Sequence, residues 1–327
     1  MKQQHITEPS EVLALLDQIT GSIAVVGSMN ADYTVTTERL PLPGETVNGG
    51  QLEILPGGKS ANQASAAARI GAQVRLFGAV GQDSNADFLL GQLTDAGVDV
   101  SQVKTVPAPS GTTVITVDAN GENTIVYSPG SNAHVSSEYI QESSKALTQA
   151  KTLGLCLESP IEAVTMAAQQ AHDAGLTVLV NNSPFQPTLP QELIDASDIL
   201  LVNEHEMSQL LNLNESKDSN WMEADWQHIA AQMADYGFTK AVVTLGSEGS
   251  MILEDGQAEH ILPVPVQAVD TTGCGDAFMG TILAGLSSGI SLVNSAQLAS
   301  YVSAYAATGR GAQASYGSAQ QIRERFL

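Results

Sequence analysis

The stretch IAVVGSMN (residues 23–30) decides the fold. Ile23, Val25 and Val26 are β-branched, no charge interrupts the run, and Gly27 ends it, so it reads as a strand buried on both faces. Such a strand needs helices on either side, and the flanking sequence supplies them. SANQASAAARIGA (60–72) is a helix of small residues suited to close packing, followed by the strand VRLFGAV (74–80) and a helix over 85–96 that Gly97 stops. The alternation continues through LGLCLE (153–158), a helix over 160–174, TVLVNN (177–182), ILLVN (199–203), helices over 204–212 and 221–236, and AVVTLG (241–246). Strands alternating with helices predict an α/β fold: a mostly parallel central sheet covered on both faces, with right-handed crossovers.

Two stretches break the rhythm. Residues 33–56 and 111–127 are rich in Thr, Val and turn residues, and the second carries a hairpin signal around Asn120-Gly121. They predict a small β-sheet lid over the α/β body, of the kind that excludes water from a ligand. Residues 1–20 read as an amphipathic helical extension that packs Val12, Leu13, Leu15 and Leu16 on the body, leaving 21–327 as the main domain.

The chain of 327 residues carries 13 Lys+Arg against 35 Asp+Glu, a formal charge of -22 that argues against a nucleic-acid partner. Cys156 and Cys274 are too few for a disulfide scaffold and suit a reducing cytoplasm. Residues 277–309 carry no charge, but a bilayer span needs roughly 20 predominantly apolar residues, and here GLSSGIS, Asn294 and Gln297 intervene. Two buried helices joined by a turn are expected, with no membrane partner. Asn214-Glu215-Ser216 matches a glycosylation sequon, which carries no meaning without a secretory signal.

Three motifs carry chemistry. GGKSANQ (57–63) ends like a P-loop, but that pattern requires glycine where Glu53 stands. What remains is a Gly57-Gly58 turn opening a helix, with Lys59 and Asn62 able to donate to a polyhydroxyl ligand or a phosphate. DTTGCGDAF (270–278) leaves the backbone of Gly273, Cys274 and Gly275 unshielded just before a helix, a site for an anion. Asp276 beside it has a reason to be there as the base that takes a proton from an attacking hydroxyl; the structural alternative is a helix cap. No Lys or Arg occurs between Lys240 and Arg310, so phosphates bound here would be neutralised by backbone amides and a divalent cation. Asn203-Glu204-His205-Glu206, at the carboxyl end of a strand, could hold Mg²⁺ through water or could simply complement a helix dipole. A lone His205 is a surface side chain rather than a ligand. Asn30 and Asp32 follow the first strand and could bind sugar hydroxyls or form a turn Asx motif; Glu158, which ends LGLCLE, could bind sugar hydroxyls too. Cys274, with no histidine partner in a recognised spacing, is a small loop filler.

In their order these motifs resemble those of the PfkB carbohydrate kinases, in the ribokinase branch. GSMNADYT (27–34), PGGKSANQA (56–64), LESP (157–160), NNSP (181–184), Asn203/Glu206, TLGSEG (244–249) and DTTGCGDAF follow one another over about residues 21–325. The resemblance implies a ribokinase-like three-layer α/β/α domain with a β lid, and an ATP-dependent kinase that phosphorylates the 5-hydroxyl of ribose. It implies that Asn30, Asp32, Gly57, Gly58, Lys59, Ser60, Asn62 and Glu158 bind the sugar with Asp276, the base. Gly273, Cys274 and Gly275 would hold the developing charge. Asn181, Thr244, Leu245, Gly246, Ser247, Glu248, Gly249 and Ser300 would line the nucleotide region, and Asn203 and Glu206 the Mg²⁺ region. A K⁺ site would draw on Asp270, Thr272, Ala306, Gly309, Gly311 and Ser315, and the lid would pair with a second copy in a homodimer. Ser60, Asn182 and Gly309 depart from common family residues. The alternatives are a related kinase acting on deoxyribose, a ketohexose or a nucleoside, or a sugar-binding regulator without turnover. Asp276, Lys59 and Glu206 argue against the last.

Overall fold

The computed structural model describes residues 6, 8–213 and 220–327. The first residues of the expected extension and the 214–216 sequon lie outside them. The main sheet has eight strands, in the order Gln257–Ile261, Ser250–Glu254, Lys240–Thr244, Ile199–Asn203, Thr177–Asn181, Thr152–Leu155, Ser22–Val26 and Gln73–Phe77. The last six run parallel, with Val26 opposite both Phe77 and Leu155, and Asn203 opposite Thr244. The first two join antiparallel.

Alternation along Ser22–Val26 explains the three layers. Ile23 and Val25 face an apolar layer that includes helices Lys59–Arg69, Cys274–Ser287 and Leu292–Ala307. Ala24 and Val26 face another, built on Ser137–Leu147, Ile161–Asp173 and Trp226–Tyr236. The uncharged stretch forms two buried helices turning at Gly289, whose φ is +82°. No helix among the described residues is long and apolar enough to cross a membrane.

Boundaries shift where backbones crowd. The strand from 23 ends at Val26, because the chain turns through Gly27 (φ +147°) and enters the lid at Asn30. VRLFGAV splits at Gly78, where a Cβ would lie 2.6 Å from the Gly27 carbonyl oxygen. The helix expected over 221–236 begins only at Trp226, capped by Asp225, after a separate 3-10 turn. The antiparallel pair at the sheet edge was missed from sequence. Its signal was Asp255-Gly256, both at positive φ (50° and 75°), a hairpin turn between alternating residues.

The lid is a four-stranded sheet in the order Glu53–Gly57, Asn30–Thr36, Gly111–Val117, Asn123–Ser128. Leu52, Ile54, Val114, Ile125 and Val126 on or beside it are exposed. At the N-terminus, helix Pro9–Ala14 and a 3-10 turn bury Val12, Leu13, Leu15 and Leu16 in the first apolar layer.

Small residues let helices Lys59–Arg69 and Cys274–Ser287 approach closely: a Cβ on Gly280 would collide with the Gln63 carbonyl and lie 3.2 Å from the Ala66 Cβ. Gly280→Ala should therefore destabilise the protein by about 1–3 kcal/mol, the usual overpacking cost. Gly91, within helix Ser84–Asp95, has open space around its would-be Cβ. Gly91→Ala should stabilise by roughly 0.4–1 kcal/mol. Denaturant melts of the two variants check this contrast.

Candidate active site

The candidate residues converge beyond the carboxyl ends of the parallel strands, where open α/β sheets bind ligands. Helix Cys274–Ser287 starts from Gly273, whose φ of +76° is left-handed and whose Cβ would crowd Ala312 and the Tyr316 hydroxyl. Tyr316 donates to the Gly273 carbonyl at 2.8 Å, fixing the turn. The Cys274 amide donates to the Thr271 carbonyl (3.2 Å), which takes one N–H away from the expected anion site. The amides of Gly275 and Asp276 remain as first-turn donors with no intrahelical acceptor.

Asp276 lies in that first turn and is 7% exposed. Asn62 Nδ2 donates to its Oδ2 at 2.9 Å and Gln63 Nε2 to its Oδ1 at 3.3 Å. Burial raises its pKa above the usual carboxylate range, and Glu158 adds to the rise, while Lys59, Asn62 and Gln63 oppose it. Burial also works against the charge on Lys59, but the pull of Asp276 and Glu158 outweighs it and leaves the pKa of Lys59 above that of an ordinary lysine. Lys59 stays cationic beside the carboxylates, and Asp276 is the stronger base for its burial.

The sugar-side candidates meet around the Gly57-Gly58 turn. Gly58 has φ +91°, and a Cβ there would lie 2.8–2.9 Å from Met29 Cα, Asn30 N and the Ser28 carbonyl oxygen. A Cβ on Gly57 would strike the Asp32 carboxylate. Only glycines let strand Asn30–Thr36 lie this close. Glu158 accepts from the Lys59 amide at 3.0 Å and from the Ser28 hydroxyl. Sequence reasoning missed Asn132, which is fully buried. Its Nδ2 donates to Asn30 Oδ1 (2.7 Å) and to the Met29 carbonyl (3.2 Å), and its Oδ1 accepts from the Met29 amide (3.1 Å). No motif marked it, because it acts from a 3-10 turn in a different stretch. Tyr127 of the lid, also unmarked, donates to the Glu158 carbonyl at 3.2 Å.

Several candidates have structural partners of their own. Ser60 is fully buried, its hydroxyl bonded to the Val26 carbonyl (3.2 Å) and 3.0 Å from Cys156 Sγ, so it supports the turn from behind rather than facing a ligand. Asn203 and Glu206 form a reciprocal capping box: Asn203 Oδ1 accepts from the Glu206 amide (2.7 Å), and Glu206 Oε2 from the Asn203 amide (2.9 Å). Their first task is thus the structural one, and Asn203 gives its side-chain oxygen to the helix. The Leu245 side chain enters the core, and Glu248 is exposed, its carbonyl 2.7 Å from the His260 ring. Burial pushes both Cys156 and Cys274 thiols up to about 11, which favours the neutral thiol over the nucleophilic thiolate.

A cleft of about 660 Å³ adjoins the Cys274 helix. Thr244, Gly246, Ser247, Gly249, Gly275 and Ser300 are among its lining residues. Its apolar walls, Val264, Val266, Phe278, Ala304 and Ala307 among them, were not picked out from sequence, since scattered apolar residues look like core until the fold assembles them. Asn181, at the end of its strand, is buried with Oδ1 lacking a donor among the described residues. Across the Cys274 turn, Asp270 accepts from the Thr272 amide through Oδ1 and the Gly311 amide through Oδ2, both at 2.9 Å. Burial works against its charge, but these bonds and Arg310 win and hold its pKa below the usual value. Gly309 packs against Ser315, where a Cβ would lie 2.7 Å from the Ser315 Cβ, so a bulkier residue needs a different loop. Asn182 brackets Gln186, donating to its carbonyl and accepting from its amide.

Asp32 carries a testable strain. Burial lifts its pKa to about 6, with Glu158 and Asp276 adding to the rise against a hydrogen bond from Thr113. A carboxyl raised in the folded state is destabilising when ionised, and the penalty grows as pH rises from about 4 through about 6. Asp32→Asn should therefore raise Tm at about pH 7, with the gain shrinking toward about pH 4. Melts across that range check the sign.

The chain matches the pfkB family carbohydrate kinases over residues 20–318. It is 33% identical to a ribokinase of Haemophilus influenzae over 304 residues, covering 93% of this chain and 97% of that one. It is 32% identical to a deoxyribokinase of Salmonella typhi over 306 residues, covering 92% and 97%. Among solved structures, an Arabidopsis thaliana ribokinase complexed with ribose and ATP superposes with a TM-score of 0.84, at 28% identity, covering 93% of this chain and 98% of that one. With a buried carboxylate at a glycine-opened helix, a polar sugar-side cluster and an apolar cleft set in one ribokinase-like α/β domain, the chain belongs to the pfkB family of carbohydrate kinases.

Proposed function

We propose that this kinase is an ATP-dependent ribokinase, transferring the γ-phosphoryl group of ATP to the 5-hydroxyl of D-ribose. The observation that carries the reading is the position of Asp276: buried, in the first turn of the Cys274 helix, with the Lys59–Asp32–Glu158 cluster on one side and the cleft on the other. Asp276 takes the proton of the attacking hydroxyl, and the Gly275 and Asp276 amides receive the charge that develops on the transferred group. Lys59, Asp32, Glu158 and the Asn132-held Asn30 orient the sugar. The apolar walls of the cleft take the adenine ring, and the lid excludes water from the transfer.

The donors present fit Mg²⁺ held largely through water. Asn181 Oδ1 is a buried acceptor without a donor among the described residues, and Glu206 keeps a second oxygen outside its capping box. Mg²⁺ would supply charge neutralisation that no nearby lysine or arginine of the 241–309 stretch provides. The Asp270 corner suits K⁺, with its carboxylate accepting from the Thr272 and Gly311 amides and its pKa held below the usual value; Thr272, Ala306, Gly309, Gly311 and Ser315 would complete the site. The exposed apolar side chains of the lid support a homodimer that covers them. Free cysteines suit the cytoplasm.

A coupled assay tests the reading across D-ribose, deoxyribose, fructose and adenosine. Ribose should turn over fastest; deoxyribose or fructose ahead of it overturns the assignment. Asp276→Ala should lower kcat by about 10²–10⁴-fold, the typical worth of a positioned base. In buffer free of Na⁺ and K⁺, added K⁺ should raise activity, and Asp270→Ala should abolish that response.

A further inference from the structure

The catalytic carboxylate is held through a chain of side-chain amides that the proposed reaction does not by itself account for. Gln313 Nε2 donates to Asn62 Oδ1 at 3.1 Å, and Asn62 Nδ2 donates to Asp276 Oδ2 at 2.9 Å. All three side chains are buried. They come from three separate parts of the chain: the 3-10 turn Gln313–Ser315, helix Lys59–Arg69 and helix Cys274–Ser287. An amide has a donor end and an acceptor end, and nothing in the shape of an asparagine decides which end faces a given neighbour. At Asn62 the decision comes from both sides. The carboxylate accepts only and demands the NH₂ end, while Gln313 presents its own NH₂ to the opposite, oxygen end. Gln313 Oε1 is left buried with no donor among the described residues. Its orientation is therefore set by Asn62 and not by a bond of its own.

We infer that Gln313 is a positioning residue for the reaction: by occupying Asn62 Oδ1 it locks Asn62 as a donor toward Asp276 and toward the substrate hydroxyl. This rests on Asp276 being the base. With Asn62 locked, one amide N–H holds the carboxylate and the other is available to a hydroxyl oxygen beside it, so base and nucleophile share one fixed donor. If Asn62 turned over, its oxygen would face the carboxylate, repel it and withdraw both donations at once. A glutamate at 313 invites that reversal, since an ionised carboxylate cannot donate to Asn62 Oδ1 but readily accepts from its NH₂. The other charged or titratable groups facing Asp276 are Lys59, Glu158, Asp32, Cys274 and Tyr316. All stay unchanged in the variants below.

The test compares Gln313→Glu, Gln313→Met and Asp276→Ala in the full-length enzyme, with kcat, KM for ATP, the pH profile of kcat and thermal melting measured for each. Gln313→Glu should lower kcat at least tenfold while KM for ATP stays within about twofold. Loss of a hydrogen-bond donor from the carboxylate raises its pKa, so the acidic limb of the kcat profile should move to higher pH by on the order of one unit. Gln313→Met keeps the volume, removes the donor without adding an acceptor, and should move both readouts the same way by less. It also carries the test if the glutamate variant does not fold. If either folded variant keeps wild-type kcat and an unmoved acidic limb while Asp276→Ala is inactive, Gln313 is only structural and the inference is wrong. If Asp276→Ala itself retains near-normal kcat, it is the assignment of the base that fails.

Discussion

The close contact between helices Lys59–Arg69 and Cys274–Ser287 is the constraint on which the rest depends. Gly280 lets the two backbones meet near Gln63, and the alanines around that point keep them together. One helix brings the sugar-side turn and the amides of Asn62 and Gln63. The other brings Asp276 and the first-turn N–H groups. Either helix alone presents an unremarkable terminus; together they let Asn62 and Gln63 donate to the Asp276 carboxylate. Packing and chemistry are thus one fact at this interface, and the small-residue composition of both helices follows from it.

The charge of -22 acquires a local meaning from this arrangement. Asp32, Glu158 and Asp276 share a site with a single lysine, and burial, with mutual repulsion adding to it, raises the pKa of Asp32 and Asp276. A second lysine would relieve the repulsion but would also bind the carboxylates and compete with the sugar. Backbone amides and metal cations carry positive potential without a flexible side chain, and under the proposed reaction they would serve the phosphate side of the site.

How much of this was legible in the sequence depended on the kind of signal. Parallel strands such as Ile199–Asn203 were readable because burial on both faces demands an uninterrupted apolar run. Asp276 stood out as a candidate because glycines and a carboxylate at a helix start have few other uses. Asn203 and Glu206 were readable as a pair with both a helix-start and a cation role open, since the same spacing serves a capping box and a cation site. Asn132, Tyr127 and Gln313 could not be found, because each acts through long-range contacts that only the assembled chain creates. The apolar cleft was hidden for a similar reason: Val264, Val266 and Phe278 carry no pattern until the edge strands and the Cys274 helix are set beside each other.

The two ends of the chain are bound to one another. Arg323, in the terminal helix Ala319–Phe326, pairs with Asp17 at 2.6 Å and reaches the Leu13 carbonyl at 3.4 Å. The amides of Thr20 and Gly21 rest on Ser288. During synthesis the amino-terminal helix Pro9–Ala14 therefore emerges about 280 residues before helix Leu292–Ala307, on which it packs. Closure of this seam belongs among the last events of folding, as expected for contacts distant in sequence. A ribosome-bound chain with everything but its final helices made would be complete in its lid and most of its sheet. It would still show a greasy amino-terminal segment to chaperones.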